Sequence, residues 1–144
     1  MVDKLTIIAA TVLILFLIFG DTMPKTLLDK IAYAIMDFEG YYQGSVSYQN
    51  NNPGNLKYHG QAGASGSDVQ GHAIFQSFQA GWNALILQIR RMLDGSSTLY
   101  PPSFTLRQAM NRYAEANGDA YAEFIAAAIG VSSDATLLQL NQMI

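Results

Sequence analysis

The chain has 144 residues, a formal net charge of −3 and no cysteine. This length suits one compact domain, and the lack of cysteine excludes disulfides, thiol catalysis and thiolate metal sites. The negative charge, without a long basic run, argues against a nucleic-acid partner. His59 and His72 are too few and too far apart to predict a metal site, and we interpret both as ordinary half-exposed positions.

Residues 5–20 form an uncharged apolar run between Lys4 and Asp21. A helix over this run would be about 24 Å long, somewhat short of the roughly 30 Å hydrocarbon layer of a bilayer. The run ends in bulky residues instead of the small-x-small pair of a cleavage site. We therefore predict an N-terminal hydrophobic helix that anchors residues 1–22 in a membrane, with a signal peptide as the alternative. The remaining residues, 23–144, form the predicted domain.

The first element of this domain is predicted as a helix over residues 24–40. Thr22 is a candidate N-cap and Gly40 is a natural C-terminal stop. The apolar side chains on its buried face recur at helical spacing: Leu27, Leu28, Ile31, Ile35 and Phe38. The following polar stretch has no helical period, and its Asn-Pro-Gly-Asn sequence at residues 52–55 predicts a type II turn.

Residues 56–59 and 72–78 are predicted as short antiparallel strands around a Gly/Ser-rich loop. Helical periodicity and capping residues then predict the helices of the second half of the domain, at residues 79–95, 103–114, 118–130 and 132–144. The predicted fold is α+β and predominantly helical, with a small β-hairpin region.

Glu39 stands out because it lies at the end of an apolar helix and directly before the polar stretch. The negative end of the helix dipole and desolvation by Phe38 and Tyr41 are expected to raise its pKa. A glutamate of this kind can act as a general acid, as glycosidic cleavage requires. The alternative is a solvated helix-end residue. Tyrosines and uncharged amides nearby are suited to stacking on and hydrogen bonding with a sugar: Tyr41, Tyr42, Tyr48, Tyr58, Gln43, Gln49 and residues 50–52.

The motifs EGYY, NNNPGNLKY and GHAIFQSFQAGWNAL, together with RYAEANGDAYAEFIAAAIGV, support a resemblance. Residues 26–144 resemble the lysozyme-like domain of phage virion-associated and bacterial muralytic enzymes, in particular the lytic transglycosylase branch. The resemblance implies a helical lysozyme fold in which the glutamate ends a helix at the lip of a cleft. It also implies peptidoglycan glycan strands as the substrate and no cofactor.

By the same resemblance, Glu39 matches the catalytic acid/base of the family. Ser47 and Asn55 match cleft positions that bind substrate, and Tyr113 matches a tyrosine held near the glutamate. Two motifs depart from the family, since PGNL replaces a Gly-Leu-Met-Gln type motif and the Tyr-Asn-Ala-Gly type motif is only loosely matched after Tyr113. For Tyr113 the alternative is a core position, and for Asn55 a purely structural place in the turn.

Hydrolysis of a glycosidic bond ordinarily uses two carboxylates. Asp68 is the only nearby candidate for the second one, and a solvated loop residue is its alternative role. Glu115, Asp119 and Glu123 are interpreted as surface charges. A single glutamate suffices for a lytic transglycosylase, because the 6-hydroxyl of muramic acid can replace water and form a 1,6-anhydro ring. Transglycosylation is therefore favoured over hydrolysis by a muramidase.

A non-catalytic structural or cell-wall-binding protein is the third possibility. For each of them the expected location is a phage virion membrane or a bacterial envelope, with the domain facing the cell wall.

Overall fold

The computed structural model describes residues 26–144 as a mixed α+β domain. The predicted membrane anchor at residues 1–22 lies outside the described residues. The elements in chain order are α1 Leu27–Phe38, α2 Val46–Gln49, β1 Ala64–Ser67, β2 Ala73–Phe75, α3 Phe78–Leu93, α4 Leu106–Tyr113, α5 Gly118–Ile129 and α6 Leu137–Asn141. About half of the described residues are helical, and β1 and β2 form a two-stranded antiparallel sheet. The α+β prediction is confirmed at this level. Between residues 26 and 144, every helix falls short of the length and hydrophobicity that a bilayer crossing requires.

Helix α1 is set by signals at both of its ends. The Thr26 side chain accepts a hydrogen bond from the Asp29 backbone N–H, and the Asp29 carboxylate accepts one from the Thr26 N–H. This reciprocal capping box makes Thr26 the N-cap, and not the predicted Thr22. At the other end Gly40 adopts φ +68°, a left-handed conformation that glycine allows without strain, and stops the helix as predicted. Glu39 thereby becomes the C-cap residue.

The hairpin uses a different first strand from the predicted one. Residues 56–59 contribute only an isolated bridge between Lys57 and His72, whereas β1 comes from the Gly/Ser-rich stretch read as a loop. The turn between β1 and β2 is stabilised because the Asp68 carboxylate accepts hydrogen bonds from the backbone N–H groups of Gln70 and His72. Such a side-chain-capped turn fixes the register, so β1 pairs despite the low strand propensity of its residues.

The Asn-Pro-Gly-Asn turn is present, but its type was predicted wrongly. The Asn55 N–H donates to the Asn52 carbonyl at 3.0 Å, as in a β-turn, yet the left-handed φ belongs to Asn55 (48°) and not to Gly54. A type II turn would need φ above zero at Gly54. Close packing explains the glycine instead, because an added Cβ would lie 2.7 Å from Leu85 Cδ1.

The core lies between α1, α3, α5 and α6. Helix α5 packs against α4 and α1, and α3 packs against α1 and α6. The largest fully buried apolar side chains come from all of these helices and from β2, and they include Tyr121, Phe75, Ile35, Leu85, Ile89, Met110, Ile125, Leu137 and Leu140. Ser77, Thr105 and Thr136 are the N-caps of α3, α4 and α6. The threonine cap of α4 agrees with the prediction, whereas α6 begins after Thr136 and not at the serines of residues 132–133. The short helix α2, capped by Ser45, was missed because four residues are too few to show a helical period.

Candidate active site

Glu39 is half-buried, and its carboxyl group is held by a tyrosine of another helix. The Tyr121 hydroxyl, on α5, donates to Glu39 Oε1 at 2.9 Å. Tyr121 is only 1% exposed, and its ring stacks on Phe38 with the centroids 4.0 Å apart. Because the Tyr121 ring is fixed by this packing, its hydroxyl gives the carboxyl group of Glu39 a defined orientation.

The environment of Glu39 raises its pKa above the ordinary value. Burial is the largest cause, because it disfavours the charged form, and the negative charge of Glu115 acts in the same direction. Hydrogen bonding from Tyr121 and from the Asn55 amide, and the electrostatic effect of His72, act in the opposite direction and are outweighed. The position at the C-terminal end of α1 also disfavours a negative charge. A proton is therefore retained on Glu39 to higher pH than on a solvated glutamate.

Two cavities meet at Glu39. One has a volume of about 440 Å³ and the other about 250 Å³, and both are lined by Glu39, Asn55 and His72. Glu39 therefore borders both cavities, and the two together are called the cleft. A polymeric substrate can occupy such a cleft with the bond to be cleaved beside the acid and with units bound on either side.

The larger cavity is the more highly charged of the two. Apart from the three shared residues, it is lined mainly by α4 and the loop that follows α4, and by the segment after the Pro-Gly turn. Besides Glu39 and His72, its charged and aromatic lining residues are Phe38, Lys57, His59, Tyr100, Arg112, Tyr113, Glu115 and Tyr121. The smaller cavity is lined by the loop between α1 and α2 and by α2 itself, including Tyr42, Ser45 and Ser47.

Three of the four predicted substrate-binding residues lie at this cleft. Asn55 lines both cavities, Ser47 lines the smaller one and Tyr113 lines the larger one. Ser47 is buried, with its Oγ 3.1 Å from Ser45 Oγ. Tyr58 lines neither cavity, and its side chain is 40% exposed elsewhere on the surface. The structure thus brings Glu39, Ser47, Asn55 and Tyr113 together and leaves Tyr58 apart.

Tyr121, and not Tyr113, is the tyrosine in contact with Glu39. Tyr113 instead donates its hydroxyl to the Gly54 carbonyl at 2.7 Å and packs edge-on against Tyr121. Burial raises the pKa of both tyrosines, so both hydroxyl groups stay protonated and act as donors. Sequence reasoning missed Tyr121 because its spacing along α5 marks only a core face, and nothing local indicates its contact with α1.

The asparagines before Pro53 do not offer their amides to the cleft. The Asn50 amide donates to Asp68 Oδ2, and the Asn51 amide donates to the Phe75 carbonyl. Asn52 is fully buried and bonds with the backbone of Leu56 and with the Ala73 carbonyl. These side chains hold the loop together, so the interpretation of residues 50–52 as sugar-binding amides was wrong, and Asn55 alone of the four asparagines lines the cleft.

Asp68 also has a structural role. Its two oxygens accept hydrogen bonds from the Asn50 amide and from the backbone N–H groups of Gln70 and His72. Desolvation raises its pKa, but these hydrogen bonds outweigh desolvation and hold the pKa at about 2. Asp68 lines neither cavity, which argues against a role as the second reacting carboxylate. Its side chain is only 15% exposed, so it is also not the solvated loop residue that the sequence suggested.

His72 is buried at 7% exposure, contrary to the half-exposed position expected for it. Its Nδ1 lies 3.3 Å from Asp68 Oδ2 and its Nε2 lies 3.2 Å from Lys57 Nζ. An ammonium group can only donate, so Nε2 accepts from Lys57 and the Nδ1–H donates to Asp68. Lys57 Nζ further contacts Glu115 Oε1 at 2.7 Å. Asp68, His72, Lys57 and Glu115 therefore form one chain of contacts, and the last three of them line the cleft.

Glu115 was interpreted as a surface charge. Its side chain is indeed 78% exposed, but it lines the same cavity as Glu39. The hydrogen bond and the positive charge of Lys57 lower the pKa of Glu115. The cleft therefore holds two carboxyl groups whose surroundings shift their pKa values in opposite directions.

Searches of protein-family models, of curated proteins and of solved structures found no match to the chain. The resemblance to lysozyme-like domains therefore stays a prediction. Among residues 26–144, no group of three or more histidine, aspartate or glutamate side chains is arranged to hold a metal ion.

Proposed function

We propose that the protein degrades peptidoglycan by cleaving the glycosidic bond between N-acetylmuramic acid and N-acetylglucosamine, with Glu39 as the general acid and base. The observation that carries the proposal is the setting of Glu39. Its carboxyl group is half-buried, oriented by Tyr121, raised in pKa, and located where two cavities meet. A proton held there to higher pH than on a solvated glutamate can be given to the oxygen of a glycosidic bond that spans the two cavities.

Lytic transglycosylation is the favoured reaction. Glu39 donates its proton to the leaving glycosidic oxygen as the bond from that oxygen to the anomeric carbon breaks. The resulting carboxylate then accepts the proton of the muramic acid 6-hydroxyl as its oxygen bonds to the anomeric carbon. Delivery of a nucleophile from within the same sugar is favoured by effective molarities of up to about 10⁵–10⁸ M, so no second base is required to position water.

Hydrolysis is the second candidate, and the position of Glu115 in the cleft favours it. Asp68, the partner suggested by the sequence, is fully engaged in the hairpin turn and lines neither cavity. Glu115 lines the larger cavity with Glu39 and is the carboxylate that could serve a hydrolytic mechanism. A hydrolase would leave reducing muramic acid ends, whereas a transglycosylase leaves 1,6-anhydro ends.

Mass analysis of muropeptides released from purified sacculi tests the proposal. We expect products with 1,6-anhydromuramic ends, each lighter by one water than the hydrolysed product. Products that carry reducing muramic acid ends would indicate hydrolysis and contradict transglycosylation. Intact sacculi after incubation with the full chain would contradict both reactions and favour a structural or cell-wall-binding protein.

The proposed location follows from the predicted anchor at residues 1–22 and from the substrate. The domain would face the cell wall from a phage virion membrane or from a bacterial envelope. Its partners would be glycan strands and the membrane, and the proposed reaction requires no cofactor.

A further inference from the structure

We propose that Glu115 is a second substrate-contacting carboxylate of the cleft, and that Lys57 is the positioning residue that holds it over the bond to be cleaved. The inference rests on the proposed function and adds a residue to the proposed reaction. Glu115 lies in the loop between α4 and α5, and Lys57 lies in the segment after the Pro-Gly turn. Their contact of 2.7 Å therefore joins two different segments that line one cavity.

Stability does not account for this ion pair. Both side chains are substantially exposed, at 40% for Lys57 and 78% for Glu115, and exposed ion pairs contribute little to folding. Lys57 is nevertheless held firmly, since its Nζ also donates to the Gln70 carbonyl at 3.1 Å and lies 3.2 Å from His72 Nε2. A lysine fixed at these two points can present the carboxylate of Glu115 in one place.

The charge of Glu115 suits the proposed reaction. When Glu39 protonates the leaving oxygen and the glycosidic bond breaks, positive charge develops at the anomeric carbon. A carboxylate that stays ionised nearby stabilises this charge without exchanging a proton, so the proton still travels from Glu39 to the leaving oxygen and returns from the 6-hydroxyl. Substrate in the cleft also displaces water, which strengthens the interaction.

Glu115 has a second effect, because its negative charge favours the protonated form of Glu39. The other polar or charged groups that act on Glu39 come from α5, from the Pro-Gly turn and from the residue before β2. They are Tyr121, Asn55 and His72, while Lys57, His59 and Arg112 line the same cavity. Removal of the Glu115 charge alone should therefore lower the pKa of Glu39.

Steady-state kinetics of the full chain in detergent, with soluble uncross-linked peptidoglycan strands, test the proposal. We expect Glu115→Gln to lower kcat between about 10-fold and 10²-fold with KM within about threefold, because the interaction develops mainly in the transition state. The high-pH limb of the kcat/KM profile should move to lower pH. Lys57→Met should also lower kcat, whereas Lys57→Arg should retain most of the wild-type kcat. The double variant should be no slower than Glu115→Gln alone, since Lys57 acts through Glu115.

Glu123→Gln is the matched control, because Glu123 is an exposed glutamate that pairs with Arg107 and lines neither cavity. Its kcat and pH profile should equal those of the wild type. A Glu115→Gln variant with wild-type kcat and pH profile, or one in which only KM rises, would overturn the inference. If Glu115→Gln overturns the inference while Glu39→Gln is inactive in the same assay, the proposed function still stands. A wild-type protein without activity on glycan strands would overturn both.

Discussion

One wall of the cleft is made by α1, α4 and α5, and the other is made by residues 50–72. The helical wall presents Glu39, Tyr113 and Tyr121 from elements held by apolar packing. The loop wall has little regular structure and is held by the side chains of asparagine and aspartate bonded to its own backbone. The two walls meet where the Tyr113 hydroxyl donates to the Gly54 carbonyl. The acid is thus fixed by hydrophobic packing, while the residues opposite it are fixed by a buried polar network.

The largest effect on stability is expected in the loop wall, from Asn52→Ala. Asn52 accepts from the Leu56 N–H and donates to the Leu56 and Ala73 carbonyls, and it is fully buried. Each buried polar group left without a partner costs roughly 1–3 kcal/mol, so we expect a loss of about 3 kcal/mol or more. Denaturant unfolding measures it.

Asn55→Ala is the matched control for that variant, because Asn55 is half-buried and lines the cleft. It should change the free energy of unfolding much less, and should mainly lower activity. Equal stability losses for Asn52→Ala and Asn55→Ala would contradict the distinction between an internal and a cleft-facing asparagine.

The next largest effect is expected from substitution of the two tyrosines of the helical wall, and it concerns the pH dependence of activity. Tyr121 bonds with Glu39 and lowers its pKa, whereas Tyr113 bonds with Gly54. Tyr121→Phe should therefore raise the pKa of Glu39 and move the high-pH limb of the kcat/KM profile to higher pH. Tyr113→Phe should leave that limb in place. A shift in Tyr113→Phe alone would mean that the roles of the two tyrosines are reversed.

The smallest effect on activity is expected from Asp68→Asn, which should change the rate by no more than a few-fold because Asp68 lies outside both cavities. Its effect on stability should depend on pH. The folded pKa of about 2 lies below the ordinary value of 3.8. The carboxylate therefore stabilises the fold above about pH 3.8, and this contribution is lost as the pH falls toward 2.

Acid unfolding of the wild type and of Asp68→Asn measures the difference. The variant should be the less stable protein at neutral pH, and the gap should narrow below pH 3.8. A large loss of activity in Asp68→Asn, with the fold intact, would restore Asp68 as a reacting carboxylate.

The helical wall was the easier of the two walls to predict from the sequence. Apolar spacing and capping residues are local signals, and they placed α1, α3, α4 and Glu39 at the end of α1. The contact of Tyr121 with Glu39 joins residues 82 positions apart, and no local pattern carries it. In the loop wall, the amides of residues 50–52 were predicted to bind a sugar, whereas they bond with Asp68 and with backbone carbonyls. Whether an asparagine binds a ligand or bonds within the protein depends on where its side chain is buried in the folded domain.

The strand and turn errors have the same origin. The Gly/Ser-rich residues of β1 have weak strand propensity, and they pair because the Asp68 turn brings β1 against β2. Gly54 is required by its contact with Leu85 and not by its φ, which a turn motif alone does not reveal. Glu115 and His72 reach the cleft only after both walls are folded, so their places there could not be read from spacing along the chain.

The most direct test of Glu39 as the acid is the rate at which the full chain and its Glu39→Gln variant release fragments from purified sacculi, with thermal unfolding measured in parallel. The variant keeps the oxygen that accepts from Tyr121 but has no proton to transfer. We expect a rate loss of about 10⁴-fold or more, since Glu39 serves as both acid and base. At neutral pH the variant should be at least as stable as the wild type, because burial raises the pKa of Glu39 and penalises its charged form. A variant that releases fragments at the wild-type rate would contradict this account.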